Sequence, residues 1–281
     1  MITEYHRPQT PEEALKLLAE PNTVPIGGGT KLTQKTDGDF AVVDLQALGL
    51  DKIRKSGDKL EIGATATLSL LLENPHIPTA LAEALRLEAP LNLRNMGTVA
   101  GTLVVCDGRS PFAAAMLALD ARLTVDGGPK TKAGQSSTVI GLGYYLPLRV
   151  GADGVRPVRP AVCPVIHTGE CHSPLQGKLI TKIEIPLNAR LAFETVARSP
   201  ADRPIVCAAL AHWPSGRTRL ALGGFGKSPL LAMDGNEPGG MEAAARNAFA
   251  EAADEWASAE YRSQVAAVLA KRCLVQVLQL D

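Results

Sequence analysis

Three consecutive glycines, Gly27, Gly28 and Gly29, interrupt the first apolar part of the chain and limit what it can form. They follow a short apolar segment at 24–26, precede Thr30, and a second apolar segment lies at 41–45. Because glycine has no Cβ, successive backbone N–H groups can converge there on a phosphate. The same run also suits a tight turn between strands, and the local sequence leaves both interpretations open. Its spacing fits neither GxGxxG nor GxxxxGK[ST], so it indicates neither the usual dinucleotide-binding fold nor a P-loop.

A second glycine-containing segment reads LRNMGTVAGT over residues 93–102. Small residues lie on both sides of Thr98, whose hydroxyl could donate to a phosphate or sugar-alcohol oxygen. A packed loop without a ligand is the alternative interpretation of this segment. We call residues 27–30 the glycine loop and residues 93–102 the second motif.

Charge and composition argue against several classes of protein. The 281 residues include 29 Lys+Arg and 29 Asp+Glu, for a formal net charge of +0. Nucleic acids and anionic membranes attract basic surfaces, so this balance favours neither as a partner. Aromatic residues make up 4% of the chain, too few for a surface that stacks single-stranded bases. The hydrophobic fraction of 46% is typical of a globular protein with a substantial core.

Targeting signals and cysteine patterns give further expectations. The opening MITEYHRPQT lacks the apolar core of a signal peptide, and no run approaches the roughly 18 apolar residues of a membrane span. We therefore predict a cytoplasmic protein without membrane insertion.

The five cysteines lack a CxxC pair and predict neither a disulfide framework nor a cluster held by this chain alone. Cys163, His167, Cys171 and His172 are zinc-ligand types in a spacing that fits no zinc motif, so we expect a surface loop there.

The order of predicted elements indicates an α+β protein in three segments. Strands and helices are mixed in residues 1–145, with two subdomains divided near residue 55, and 146–177 reads as an extended connector rich in Gly and Pro. Residues 178–281 form the last segment. There, closely spaced strands at 179–187, 190–197, 204–212 and 218–224 predict one antiparallel sheet, followed by helices at about 240–256 and 259–279.

Together, the glycine loop and the second motif resemble the signatures of the FAD-binding (medium) subunits of molybdenum hydroxylases, such as aerobic carbon monoxide dehydrogenase and the xanthine dehydrogenases. The family's A-G-G-T-x-L is similar to Gly27 through Leu32, and its I-R-N-x-G-T-I-G-G-N to residues 93–102. Further similarity lies in the strand at 60–64, the helix at 114–121, and the segments 179–186, 222–224 and 261–262. The resemblance covers nearly the whole chain except about 145–177.

The resemblance implies a two-part FAD-binding domain of the vanillyl-alcohol-oxidase-like (PCMH-like) type, then a small domain of antiparallel sheet and two helices. It implies a flavoprotein oxidoreductase subunit that contributes no metal or catalytic side chain of its own. A [2Fe–2S] subunit and a molybdopterin-containing large subunit would be its partners, in a dimer of heterotrimers. FAD would contact Ile26, Gly27, Gly28, Gly29, Thr30, Lys31, Leu32, Thr98, Val99, Ala100, Gly101, Thr102 and Asp107.

Four departures from the family pattern predict weaker cofactor binding. Ala100 and Thr102 stand where relatives have glycine and asparagine, Pro111 where an acidic ribityl contact is expected, and Glu194 where a basic residue is expected. The alternative is therefore a structural subunit of the same fold that binds FAD weakly or not at all. A free-standing flavin oxidase is disfavoured because such relatives carry a separate substrate domain. A side chain at Gly28 is expected to fill the phosphate site.

Overall fold

The computed structural model describes residues 1–32, 39–127, 137–151 and 177–279, with the side chains of 149–151 excepted. The predicted α+β class is confirmed: three sheets are combined with helices. None of the helices in these ranges is long and apolar enough to cross a membrane. Cys163, His167, Cys171 and His172 lie outside the described residues.

The amino-terminal sheet is parallel, and one of its strands leads directly into the glycine loop. It contains β1 (Ile2–His6), β2 (Thr23–Ile26) and β3 (Phe40–Asp44) in the order β1-β3-β2. The run Thr10-Pro11-Glu12-Glu13 predicts a helix start, with Thr10 as its cap. Helix α1 (Pro11–Leu18) begins there, and the Thr10 hydroxyl accepts from the Glu13 amide at 3.2 Å. The helix buries Ala14 and Leu18 against β3, which fixes where β2 delivers the glycine loop.

A five-stranded antiparallel sheet follows. Its order is β4-β5-β8-β6-β7, with the members β4 (Ile53–Ser56), β5 (Lys59–Gly63), β6 (Arg122–Asp126), β7 (Ser137–Gly141) and β8 (Leu179–Pro186). The helices between and after these strands are α2 (Leu68–Leu72), α3 (Thr79–Glu88), α4 (Leu91–Met96), α5 (Val99–Val105), α6 (Pro111–Ala118) and α7 (Leu142–Gly151).

The carboxy-terminal sheet has the order β12-β11-β10-β9. Its strands are β9 (Arg190–Val196), β10 (Val206–His212), β11 (Thr218–Gly223) and β12 (Leu230–Gly235), and α8 (Met241–Ala248) and α9 (Ala259–Gln279) follow. Residues 206–211 of β10 are all buried, because α6 packs against this strand together with α9. Helix α6 is itself buried along its whole length, so it joins the two halves of the molecule through one apolar core.

Three local predictions differ from the structure. Segment 179–187 does not begin the carboxy-terminal sheet, because β8 pairs with β5 and β6 instead. The connector predicted from residue 146 begins inside α7, which buries Leu146, and β7 before it pairs with β6. The predicted helix at 240–256 ends at Ala248. The division into segments stays a prediction, and the pairing of β8 favours a boundary after Pro186.

Candidate functional site

The glycine loop is held at its first residue by the end of β3. The Gln46 side-chain amide donates to the Gly27 carbonyl oxygen at 3.3 Å, and the Gln46 backbone amide donates to the buried Asp44 carboxylate at 2.9 Å. Gly29 adopts φ +69°, a left-handed conformation that favours glycine. The chain can therefore turn sharply after β2.

The second motif is a pair of short helices, not the loop predicted from its glycines. Helix α4 ends at Met96, and the buried Thr98 caps α5 by accepting from the Gly101 amide at 3.2 Å. Arg94 donates through Nη1 to the Arg86 and Ala89 carbonyl oxygens at 3.0 and 2.9 Å, so it satisfies the carboxyl end of α3. Glycine and β-branched residues have low helix propensity, which is why the sequence pattern concealed these helices.

The two motifs pack directly against each other through glycine. A Cβ added to Gly28 would lie 1.7 Å from the Met96 carbonyl oxygen, which no side chain could tolerate without backbone movement. Cβ atoms on Gly27 and Gly101 would lie 2.8 and 2.7 Å from the Thr98 hydroxyl oxygen. The expectation that a side chain at Gly28 would simply fill a phosphate site is therefore wrong, because that side chain would first separate the glycine loop from the second motif.

The joined motifs form one wall of a cavity of about 510 Å³, within the range of small-molecule and cofactor sites. Ile26 and Val99 do not line it: Ile26 belongs to β2, and Val99 is buried in the core. The other residues predicted from the sequence do line it, namely Gly27, Gly28, Gly29, Thr30, Lys31, Leu32, Thr98, Ala100, Gly101, Thr102 and Asp107.

The glycine end of the cavity has the chemistry of an anion site. The backbone amides of Gly28, Thr30 and Lys31 donate no hydrogen bond to any described residue. Lys31 and Lys178 also line the cavity and add positive charge. Unpaired amides beside two lysines fit a diphosphate, which needs several donors and charge neutralisation.

The opposite end carries two carboxyl groups and one guanidinium, none of them in the two signatures. Arg203 donates to both oxygens of Asp107, with an Nη1–Oδ2 distance of 2.7 Å, and the Arg109 amide donates to Oδ1 at 2.9 Å. Partial burial acts to raise the pKa of Asp107, but these hydrogen bonds outweigh it and hold the pKa below its usual value. The hydrogen bond to Asp107 raises the pKa of Arg203, so this pair is ionised near neutrality.

Glu88 is the second carboxyl group at this end. Its Oε2 accepts from the Ser110 hydroxyl at 2.7 Å and from the Phe112 amide at 3.1 Å. Burial raises the pKa of Glu88 and outweighs the lowering effect of these two hydrogen bonds. Sequence reasoning missed Glu88 and Arg203 because they belong to α3 and to the segment between β9 and β10, far from either motif in sequence.

Two of the four departures lie away from the cavity. Pro111 begins α6 and is buried, and Glu194 accepts a hydrogen bond from the Gln276 side chain of α9. Neither is among the residues that line the cavity. The predicted charge reversal beside the cofactor is therefore not supported for Glu194, whereas Ala100 and Thr102 do face the cavity.

Sequence and structure comparisons are consistent with this site. Residues 1–136 match the family described as the FAD binding domain in molybdopterin dehydrogenase. The protein YgfM of Escherichia coli K12 is 28% identical over 279 residues, covering 96% of this chain and 94% of YgfM. The glyceraldehyde dehydrogenase medium chain of Sulfolobus acidocaldarius is 25% identical over 247 residues, covering 82% of this chain and 78% of that one.

A solved structure shares the fold over the full length. Reconstituted CO dehydrogenase from Oligotropha carboxidovorans contains a chain that matches with a TM-score of 0.75 at 24% identity, covering 99% of this chain and 98% of that chain. The family match spans both the glycine loop and the second motif, and the shared fold extends through the carboxy-terminal sheet and helices. Residues 1–136 are therefore similar to the FAD binding domain of molybdopterin dehydrogenases, and the chain as a whole shares its fold with a chain of CO dehydrogenase.

Proposed function

We propose that this chain holds FAD in the cavity and passes electrons from a [2Fe–2S] subunit to an external acceptor. The observation that carries the proposal is the convergence of the glycine loop and the second motif on one wall of that cavity. FAD supplies the redox chemistry when it is bound, and the protein supplies binding, orientation and electrostatics.

The residues at the glycine end would bind the diphosphate of FAD. The amides of Gly28, Thr30 and Lys31 would donate hydrogen bonds to its oxygens, and the Lys31 and Lys178 ammonium groups would offset its charge. Ala100 and Gly101, at the start of α5, present little side chain and allow the cofactor to approach the helix closely. Asp107, the last of the residues predicted to contact FAD, lies at the other end of α5.

The electron donor would be an iron–sulfur subunit, which would itself receive electrons from a molybdopterin-containing large subunit. The three kinds of chain would assemble as a dimer of heterotrimers. Support comes from the relatives, since the chain matches a medium chain of a dehydrogenase and a chain of CO dehydrogenase. The metal centres would lie on the partner subunits, and this chain would provide the exit for electrons.

One observation favours a second candidate, a structural subunit that binds FAD weakly. The Thr102 hydroxyl donates to the Thr98 carbonyl oxygen at 2.9 Å, and the Thr98 hydroxyl accepts from the Gly101 amide. The Thr102 O–H is thus used within α5 and does not donate to a ligand, whereas the Thr98 hydroxyl accepts within α5 and keeps its O–H for one. Under this candidate the cavity would be a remnant of a shared fold.

Affinity purification of the tagged full-length chain from its own host separates the two candidates. The proposal predicts that an iron–sulfur subunit and a molybdenum subunit copurify, with one FAD per copy of this chain. Copurification of both subunits without flavin, even after incubation with FAD, would favour the structural subunit. Isolation of the chain alone, with neither partner, would contradict the electron-transfer role.

A further inference from the structure

Glu88 lies at the cavity and has one carboxylate oxygen that accepts no hydrogen bond from any described residue. It is the last residue of α3, and it lines the cavity. Its two hydrogen bonds, from the Ser110 hydroxyl and the Phe112 amide at the start of α6, both reach Oε2. Among the described residues no hydrogen bond reaches Oε1. One oxygen therefore fixes the carboxyl group on the first turn of α6, and the other is left for a ligand.

The groups around Glu88 decide which ligand chemistry suits it. Cys106, Asp107 and Arg203 line the same end of the cavity. Both terminal nitrogens of Arg203 are committed to Asp107, so Glu88 has no direct ion-pair partner there. Two carboxylates beside one engaged guanidinium repel a phosphate, whereas a hydroxyl or N–H donor gains a hydrogen bond from a charged acceptor.

The position of Glu88 along the cavity indicates which part of FAD it would meet. Helix α5 runs from Thr98, which contacts the glycine loop, to Cys106 and Asp107, which lie at the carboxylate end. Its seven residues span about 10 Å at 1.5 Å per residue. With the diphosphate on the glycine loop, the riboflavin half of the cofactor would extend along α5 toward Glu88.

We infer that Glu88 is a cofactor-binding residue whose free carboxylate oxygen accepts a hydrogen bond from a hydroxyl or N–H group of the riboflavin half of FAD. The inference rests on the proposed function and adds a contact from α3 that neither glycine motif contains. It makes Glu88 selective: the residue strengthens binding of FAD and is indifferent to ADP, which has the diphosphate but lacks the riboflavin half.

The substitution Glu88→Gln tests this selectivity with little change in shape. The carbonyl oxygen of the introduced glutamine can keep the hydrogen bonds from Ser110 and Phe112, which turns its NH₂ group toward the cavity. The glutamine NH₂ group then faces the hydroxyl or N–H donor of FAD, and no hydrogen bond forms between two donors. We therefore expect the Kd for FAD to rise roughly tenfold or more. The Kd for ADP, measured by competition with FAD on the same purified full-length protein, should stay within about twofold.

Glu83→Gln is the matched control, because Glu83 lies on the same helix but is exposed and does not line the cavity. It should change neither Kd, and thermal melting without cofactor verifies that both variants fold. If Glu88→Gln leaves FAD affinity unchanged, or weakens FAD and ADP equally, the inference is overturned while the proposed function stands. If the wild-type chain binds neither ligand, the proposed function itself fails and the inference fails with it.

Discussion

Thr98 and Thr102 illustrate how single residues at this site divide between structure and binding. Both line the cavity, and both have hydroxyls that bond within α5. The two hydroxyls differ in whether their removal leaves a backbone group without a hydrogen-bond partner. The Gly101 amide depends on the Thr98 hydroxyl, whereas the Thr98 carbonyl oxygen that Thr102 contacts also accepts from the Thr102 backbone amide at 2.9 Å.

We therefore predict unequal effects of replacing the two threonines with valine. Thr98→Val removes the cap of α5 and should lower the free energy of unfolding by about 1 kcal/mol. Thr102→Val leaves the Thr98 carbonyl oxygen with its backbone partner and should change the free energy of unfolding by no more than about 0.5 kcal/mol. Urea unfolding of the two variants measures the difference. Equal losses would show that the Thr98 hydroxyl is not acting as a cap.

Glu88 gives a pH-dependent prediction for the chain without cofactor. Burial raises the folded-state pKa of Glu88 above its ordinary value of 4.5, so the unfolded chain ionises this group at lower pH than the folded chain does. The wild-type protein must therefore lose stability as the pH rises from the unfolded-state pKa through the folded-state pKa. Glutamine does not ionise and avoids this loss.

Glu88→Gln should consequently raise the free energy of unfolding at neutral pH while it weakens FAD binding. The gain should shrink as the pH falls and vanish below about 4.5, where the wild-type carboxyl group is protonated in both states. Thermal or urea unfolding across this pH range, without added flavin, measures it. A variant less stable than wild type at neutral pH would mean that the carboxylate serves the fold.

At the scale of elements, the site depends on the contact between β2 and the junction of α4 with α5. Gly28 lies against the Met96 carbonyl oxygen, so this contact is between backbones. Backbone contacts of this kind admit glycine alone, which accounts for the residue type without any reference to a ligand. The glycine loop is thus both a packing surface and, in our proposal, a set of donors for the diphosphate.

Gly28→Ala should separate the two elements. We expect a lower melting temperature together with loss of FAD retention, because the added methyl group meets backbone atoms that cannot rotate away. Gly239→Ala is the matched control, since a Cβ at Gly239 has nothing within 4 Å. It should leave both properties unchanged. Unaltered melting of Gly28→Ala would contradict the packing role assigned to this glycine.

The end of α6 is tied to the carboxy-terminal sheet by a network of ionic groups. Arg219 is 4% exposed and contacts the Asp120 and Asp234 carboxylates at 3.0 and 2.7 Å. Arg217 contacts the same two carboxylates at 3.0 and 2.9 Å. A buried guanidinium that loses a partner remains incompletely compensated, and this is costly.

Asp120→Asn should therefore lower the free energy of unfolding by about 2 kcal/mol. Asparagine is the suitable replacement because Asp120 has φ +56°, which asparagine tolerates. As a control, Glu242→Gln removes two long, exposed pairs, with Arg246 and Lys271, and should cost no more than about 0.5 kcal/mol. Urea unfolding measures the loss of unfolding free energy in each variant. Similar losses in the two variants would mean that the Arg219 network contributes little to stability.

For the molecule as a whole, local signals predicted much of the fold. The Thr10 cap, the apolar strand at 179–187 and the amphipathic helices were visible because each depends on neighbouring residues. The partners of β8 were not, because strand pairing depends on contacts distant in sequence, and β8 inserts between β5 and β6.

For the candidate site, too, only the residues that are contiguous in sequence were predicted. The glycine loop and second motif are contiguous in sequence and were found from their residues. Glu88 and Arg203 reach the cavity only because α3 packs against α6 and the β9–β10 segment returns to Asp107, which no local pattern encodes. The predicted charge reversal at Glu194 is not supported for a similar reason, since its side chain accepts a hydrogen bond from Gln276 of α9.

Cofactor binding by the whole molecule is measured by titrating the purified full-length chain with FAD. Flavin fluorescence and the absorption bands at about 370 and 450 nm report bound cofactor. We predict saturation at one FAD per chain in the wild type and loss of that binding in Gly28→Ala, with Gly239→Ala unchanged. Absence of saturable FAD binding by the wild-type chain, at protein concentrations where it is folded by circular dichroism, would contradict the proposed role of the cavity.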